Sequence, residues 1–271
     1  MPANSLGVPT VSIVMPCLNQ RKFLPEAVDS VLQQSKIDVE LLVLDPGSTD
    51  GSRQWLESIQ AKYPERLRLV FEKDRGQSDA VNKGLSMARG PILGWLNSDD
   101  RLRPSTLETV VANLRPGMPE WLYGRCGVID AEGRPAANAI TVYKNLRGWT
   151  FSRFKLLQEN FISQMAVFWT REMWDIAGGL DLERHLDMDY DLWLRFSSVT
   201  KPKVIKEYLA DFRVHVAAKG TVDASRQLDA AFQTAKMHAR GLGRRGSIAL
   251  VIHRLLSKRT ELAYRYIKPK R

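Results

Sequence analysis

The chain has 271 residues, 44% of them hydrophobic, and 40 Lys or Arg against 30 Asp or Glu, a formal net charge of +10. That length and apolar content support a large core, so that disorder is not the default, and suit one larger α/β domain with an appendage. The charge is confined to the tail: residues 236–271 hold eleven Lys or Arg and a single acid, Glu261, so 1–235 are formally neutral and a nucleic-acid partner is not expected. Two cysteines, Cys17 and Cys126, fit neither a disulfide framework nor a four-ligand zinc site and suggest a reducing compartment. Residues 1–5 lack the basic start and apolar core of a signal peptide, and no apolar run approaches the roughly 20 residues of a spanning helix. A cytoplasmic protein is expected.

In chain order, 11–15 is a short apolar strand broken by Pro16. Leu24, Val28, Val31 and Leu32 then fall at i, i+4, i+7 and i+8, a helix with Pro25 near its start. Residues 39–44 form a second strand, and the turn-rich Asp-Pro-Gly-Ser-Thr-Asp-Gly of 45–51 precedes a helix carrying Trp55, Leu56 and Ile59. A third strand, 67–71, leads through a polar loop into a helix with Val81, Gly84, Leu85 and Ala88. Residues 92–100, Ile-Leu-Gly-Trp-Leu-Asn-Ser-Asp-Asp, read as a buried strand that runs straight into two carboxylates. Leu107, Val110, Val111 and Leu114 give the following helix. Four βα units in sequence imply an α/β fold, a Rossmann-like, mostly parallel sheet with helices on both faces. Alternation across 121–142 around Asp130-Ala131-Glu132-Gly133 predicts a hairpin, and 203–215 a strand ending at His215.

This order puts four loops on one sheet edge: 16–19, 45–50, 72–79 and 97–100. Ligands of open α/β sheets bind at that edge. Neither a Gly-x-Gly-x-x-Gly after the first strand nor a phosphate-binding Gly-x-x-x-x-Gly-Lys-Ser/Thr occurs, so a bound diphosphate needs another neutralising partner. Adjacent carboxylates at a strand end suit a hard divalent cation shared with phosphate oxygens. The plainer alternative is an acidic turn that caps the helix after Pro104.

Val-Ser-Ile-Val-Met-Pro-Cys-Leu-Asn (11–19), Leu-Asp-Pro-Gly-Ser-Thr-Asp-Gly (44–51), Asp-Arg-Gly-Gln-Ser-Asp-Ala-Val-Asn-Lys-Gly (74–84) and Leu-Asn-Ser-Asp-Asp (96–100) together resemble the inverting family 2 glycosyltransferases with the GT-A fold. Asp-Tyr-Asp-Leu-Trp-Leu-Arg (189–195) and Phe-Arg-Val-His (212–215) are similar to that family's acceptor-side helix and following strand. The resemblance covers about residues 10–215. It implies transfer of a sugar from a UDP- or dTDP-linked donor to a hydroxyl of a sugar or lipid-linked acceptor, in polysaccharide, lipopolysaccharide or other glycoconjugate synthesis. The implied organisation is a GT-A domain of 1–218, with a donor half of about 10–100 and an acceptor half of about 101–218, then a helical extension, 219–271.

By position, the resemblance implies donor contacts from Pro16, Cys17, Asn19, Asp45, Asp74, Asp79, Asn97, Ser98, Asp99 and Gln164. It implies a divalent cofactor, Mg or Mn, held by Asp99, Asp100 and His215, although a lone histidine is also commonly a polar core residue. Asn97 stands where the first acid of the family's Asp-x-Asp often is, and Pro46 replaces an acid common in the second loop. Inverting transfer is a single displacement, so a carboxylate must take the acceptor proton. Asp189 matches the family's base, Asp187 is the runner-up, and Asp191 is spaced to pair with Arg195. All three also favour a helix N-terminus. Residues 151–164 are expected to border the acceptor site.

From 246 on, Ile248, Val251, Ile252, Leu255, Leu262 and Tyr266 form an apolar stripe beside Arg254, Lys258, Arg265 and the basic terminus 268–271. Such a helix lies on an anionic membrane surface, on the inner face of the cell membrane, or docks on the catalytic body or on a second subunit of a homo-oligomer. Two other readings of the acids remain open at this stage: a metal-dependent nucleotidyltransferase and a non-catalytic nucleotide-sugar binding module.

Overall fold

The computed structural model describes residues 7–136, 139–215 and 224–267, with side chains of the last stretch described over 225–261. Residues 1–5, the boundary at 218, the terminus 268–271 and the side chains of Leu262, Arg265 and Tyr266 lie outside them. The first half follows the predicted order: β1 (Val11–Pro16), α1 (Leu24–Leu32), β2 (Val39–Leu44), α2 (Ser52–Gln60), β3 (Leu67–Val70), α3 (Gln77–Met87), β4 (Ile92–Trp95), β5 (Arg101–Leu102) and α4 (Thr106–Asn113). The second half is β6 (Trp121–Ile129), α5 (Ala139–Arg147), α6 (Arg153–Gln158), β7 (Val167–Thr170), α7 (Arg171–Ala177), α8 (Met188–Val199), β8 (Lys203–Arg213), α9 (Ala224–His238) and α10 (Gly243–Ile267).

These strands form one sheet in the order β3-β2-β1-β4-β7-β6-β8-β5. The half β3-β2-β1-β4 is parallel, as βα units require. Beyond β4 the sheet is mixed: β7 runs antiparallel to both β4 and β6, β8 parallel to β6, and β5 antiparallel to β8. Strand residues alternate between two apolar layers, with Ile13 and Met15 of β1 in one and Val14 in the other. The Val14 layer continues into an aromatic block in which Trp121 and Trp193 stack with centroids 6.1 Å apart. Helix α3 lies close on β1 because residue 84 is glycine: a Cβ there would stand 2.4 Å from Val14 Cγ1.

Two sequence expectations change. The hairpin of 121–142 stops at one antiparallel bridge, Ile129 to Pro135, and Thr141 and Val142 are helical, in α5. β7 pairs only with 121–123 of β6; further along, the Asn145 side chain of α5 takes both the Cys126 N–H (3.1 Å) and the Cys126 carbonyl (2.8 Å), so the returning segment pairs only near Val128 and Ile129. The strand predicted over 203–215 ends at Arg213, two residues short of His215.

The C-terminal helix has two faces. Ala249 and His253 are buried against the body, with His253 Nδ1 2.9 Å from the Leu157 carbonyl oxygen. Ile248, Val251 and Leu255 point outward, 53%, 62% and 63% exposed. Among the described residues no helix is long and apolar enough to cross a membrane.

Candidate active site

The loops after β1 and β2 are sewn together. Asp45 is buried, and its Oδ1 accepts the backbone N–H of Gly47 (2.8 Å) and Ser48 (2.7 Å), an Asx turn that fixes the loop. Asn19, at φ 54°, accepts the Thr49 N–H at 2.8 Å while its own N–H donates to Ser48 Oγ, also 2.8 Å. Among the described residues this leaves Asp45 Oδ2 buried with no hydrogen-bond partner, an acceptor already paid for in desolvation and lacking a donor. Pro16 and the buried Cys17 continue the same strand end. Burial, with the Asp45 charge beside it, pushes the Cys17 thiol up to about 12, so it packs as a neutral group near Ser98 and Ser52.

The third loop uses its acids on itself. Asp74 Oδ1 accepts the Gly76 N–H at 2.8 Å. Asp79, in the first turn of α3, accepts the Arg75 N–H at 3.0 Å and pairs with Lys83 at 3.3 Å. That backbone bond and then the ion pair hold its carboxyl below the usual range. Asp79 therefore staples the start of α3, and its carboxylate is already engaged where a donor contact was expected.

At the end of β4, Asn97 is a neutral brace. Its Oδ1 accepts Gln77 Nε2 (2.7 Å) and Trp95 Nε1 (2.9 Å), and its Nδ2 faces Gln164 Oε1 at 3.3 Å. Gln164 in turn donates to the Trp95 carbonyl. The amide that replaces an acid here supplies a donor and an acceptor at once, and it knots three segments together.

Asp99 and Asp100 face different ways. Asp99 Oδ2 stands 3.0 Å from His215 Nε2, and the imidazole lies 4.6 Å from the Phe23 ring. Asp100 is fully buried, accepts the Arg213 N–H at 2.9 Å, and has its carboxyl pushed well up by burial and by Asp99. Among the described residues no three His, Cys, Asp or Glu side chains gather as a metal-holding group. The expected set of three is thus reduced to Asp99 and His215, because Asp100 is committed to the β8 backbone. The remaining pair fits a cation: two ligands at right angles around an octahedral ion at about 2.1 Å stand about 3 Å apart, and one oxygen plus one imidazole nitrogen is a mixed donor set acceptable to Mn more than to Mg.

Arg213, which sequence reasoning left without a role, holds this corner. Its buried guanidinium donates to the Asp99 carbonyl (2.7 Å), to the Asp130 carbonyl (3.0 Å) and to Glu26 of α1, and it sits 5.1 Å over the Phe23 ring. The Phe-Arg-Val-His stretch already contained the signal, since an arginine between strand residues has no reason to be buried without acceptors.

The three acids at the head of α8 separate clearly. Asp191 accepts Arg195 Nε at 2.9 Å and stands 2.8 Å from His238 Nε2. Asp187 accepts Arg184 Nη1 at 3.0 Å and the Thr234 hydroxyl. Asp189 has no ion pair among the described residues; it accepts the Tyr190 N–H at 2.7 Å and lies 3.5 Å from Asn160 Nδ2. Burial pushes its carboxyl up, with the Lys144 charge and those amides pulling partly back. His238 and His253, given no role from sequence, are structural partners of Asp191 and Leu157.

A family model described as glycosyl transferase family 2 matches residues 12–174, more than half the chain. The chain belongs to glycosyl transferase family 2. The match includes every donor-side loop above, whereas Asp189 and His215 lie beyond it. Family membership sets the nucleotidyltransferase reading aside. Among curated relatives, a chondroitin synthase of Escherichia coli is 31% identical over 194 residues, 71% of this chain and 27% of that protein. A PGL/p-HBAD biosynthesis glycosyltransferase of Mycobacterium bovis is 30% identical over 75% of each chain. This chain thus spans about a quarter of the chondroitin synthase, but most of the mycobacterial glycosyltransferase. Among solved structures, S. aureus TarS 1–349 in complex with UDP-GlcNAc has TM-score 0.64 at 14% identity, over 86% of this chain and 67% of that one. The mannosyltransferase PcManGT of Pyrobaculum calidifontis in complex with GDP-Man and Mn2+ has TM-score 0.63 at 18% identity, over 94% and 76%. At those identities the likeness shows the GT-A fold.

Removing a buried guanidinium while leaving its acceptors in place is costly. Arg213→Met is expected to lower unfolding free energy by about 3 kcal/mol in urea titration, the low end for a broken buried pair because the Glu26 side chain is 41% exposed. A loss below about 1 kcal/mol would show that the corner does not depend on Arg213.

Proposed function

We propose that this chain transfers a sugar from a UDP- or dTDP-linked donor to an acceptor hydroxyl with inversion, Asp189 acting as the base, in polysaccharide or other glycoconjugate synthesis. The observation that carries the reading is the contrast at the head of α8, where two acids are tied up by arginines and the third keeps a proton-accepting carboxylate. A base must be within reach of a substrate proton and free of a cation that would stabilise its charged form. Asp45 Oδ2 supplies the nucleotide end: its one vacant acceptor suits the single imide N–H of uracil or thymine. Asp99 and His215 are the residues that would hold a divalent cation, which when bound neutralises charge on the diphosphate. A relative of this fold in complex with Mn2+ supports that reading. The donor half then spans about 10–100 and the acceptor half 101–218, with 219–271 as an extension.

Asp189→Asn keeps the shape and removes the basicity. Turnover, read as released nucleoside diphosphate in the presence of acceptor, is expected to fall by about two to four orders of magnitude with little change in donor affinity. Because the carboxyl is raised, the base is present above its folded pKa, and kcat/KM is lost as pH falls through a value above the ordinary 3.8. The same assay with a chelator is expected to lose turnover and regain it with Mn2+. Near-normal turnover in Asp189→Asn together with its loss in Asp187→Asn would assign the base to the wrong acid, and indifference to chelator would remove the cation.

The outward face of α10 places Ile248, Val251 and Leu255 among exposed Arg244, Arg245, Arg254 and Lys258. We infer from this combination a peripheral, cytoplasmic enzyme held on the inner face of the membrane, where lipid-linked acceptors reside. Each basic residue near an anionic surface contributes about 1 kcal/mol, so flotation with phosphatidylglycerol vesicles should be strong at low salt and weak at high salt. Val251→Glu with Leu255→Glu should abolish it without unfolding the chain. Absent or salt-independent flotation would instead leave this face to a second subunit.

A further inference from the structure

A cavity of about 240 Å³ lies in the acceptor half, walled by α5, the end of α6, the start of α8, and the two C-terminal helices α9 and α10. Three of these elements, α8, α9 and α10, lie beyond the family-matched residues 12–174. Asn160 connects the cavity to the chemistry: it lines the wall, and its Nδ2 is the group 3.5 Å from the Asp189 carboxylate.

The walls state what they would accept. Tyr190 presents its ring, its hydroxyl being spent on the Leu156 carbonyl at 2.6 Å. Gln227, whose Nε2 donates to the Leu186 carbonyl at 3.4 Å, brings an amide oxygen from α9, and Ser257 brings a hydroxyl from α10. His253 also lines the space; with Nδ1 committed to the Leu157 carbonyl, Nε2 is the nitrogen left to face it, and burial keeps the ring neutral, so that nitrogen is an acceptor for a hydroxyl. Charge on the wall is balanced, Lys144 and Arg259 against Glu159 and Asp187. A hydrocarbon chain would desolvate these amides and hydroxyls without replacing their hydrogen bonds, at a cost of about 1–3 kcal/mol for each group left unmet. Ile140, Leu186, Leu228 and Leu256 add aliphatic surface beside the Tyr190 ring, and this mixture of apolar faces and polar groups suits a polyhydroxylated ring, whose faces are apolar and whose edge hydroxyls need partners. The volume is below the roughly 300–1,000 Å³ of sites for drug-sized ligands, room for one ring and not for an oligosaccharide.

We propose that this cavity binds one neutral sugar residue of the acceptor, neighbouring the residue whose hydroxyl is delivered to Asp189. The C-terminal helices are thereby part of acceptor selection. This rests on the transferase reading above, and it adds the class of acceptor: a chain or conjugate with at least two sugars, the inner one uncharged.

Saturation-transfer NMR on the full chain tests it without requiring turnover. The probes are methyl glycosides of glucose, galactose, mannose, rhamnose and N-acetylglucosamine, with sodium decanoate as the hydrocarbon comparison, each with and without UDP. At least one glycoside is expected to receive saturation. Ser257→Trp, which fills the cavity from α10, should weaken that binding more than tenfold. Gln227→Ala, an exposed position that is safe for folding, should weaken it about threefold to tenfold, the loss of one hydrogen bond. UDP affinity by calorimetry should stay within twofold in both. No signal from any glycoside, a signal unchanged in both variants, or a signal from decanoate alone would overturn the proposal. Failure of the parent to bind UDP would tell separately against the donor reading, since the glycoside signal is recorded independently of it.

Discussion

The arrangement of the site depends on one buried cation. Arg213, at the end of β8, donates through its side chain to the Asp99 carbonyl, the Asp130 carbonyl and Glu26, while its own N–H holds Asp100. A guanidinium can satisfy several acceptors from one planar fork, which a lysine cannot. Its effect is to fasten the loop after β4 to α1, to β8 and to the turn after β6. Asp100 turned inward and Asp99 turned outward are two consequences of the same clamp. Without it the β4 loop would carry two adjacent like charges with nothing to decide which one faces the ligand.

From that corner the sides that we propose for donor and acceptor follow different physical rules. The donor edge is built of main-chain loops braced by short side chains, with Asp45, Asn19 and Asn97 each satisfying several backbone or amide groups. Such bracing fixes acceptors in place before a ligand arrives, which limits the ordering cost of binding. The proposed acceptor side is built of helices instead, and its acids differ in which of them are neutralised. Arg184 and Arg195 occupy Asp187 and Asp191, and leave Asp189 as the acid whose environment disfavours charge.

Much of the first half was legible because buried parallel strands read as continuous apolar runs and α1 and α3 show helical spacing. The hairpin over 121–142 was misread because alternation says nothing of what takes a strand's edge, and at Cys126 that is the Asn145 side chain of α5 and not a returning strand. The pairing of Asp191 with Arg195 was legible from i, i+4 spacing, whereas the role of Asp189 is a proposal that began as a family resemblance. What was not legible is pairing across distance: Arg213 and Glu26 are 187 positions apart, and His238 meets Asp191 across 47. Nor does sequence show that neighbours such as Asp99 and Asp100 point in opposite directions, since that is decided by the partners each one finds.

The central claim is that Asp189 serves a single displacement, in which the acceptor oxygen attacks from the face opposite the departing diphosphate. Its most direct measurement is the anomeric configuration of the transfer product, read from the one-bond carbon–proton coupling of the new glycosidic linkage in NMR and compared with that of the donor sugar. The account predicts an inverted anomer. A product that retains the donor's configuration would contradict it, because retention by an enzyme requires chemistry other than deprotonation of the acceptor by one carboxylate in a single step.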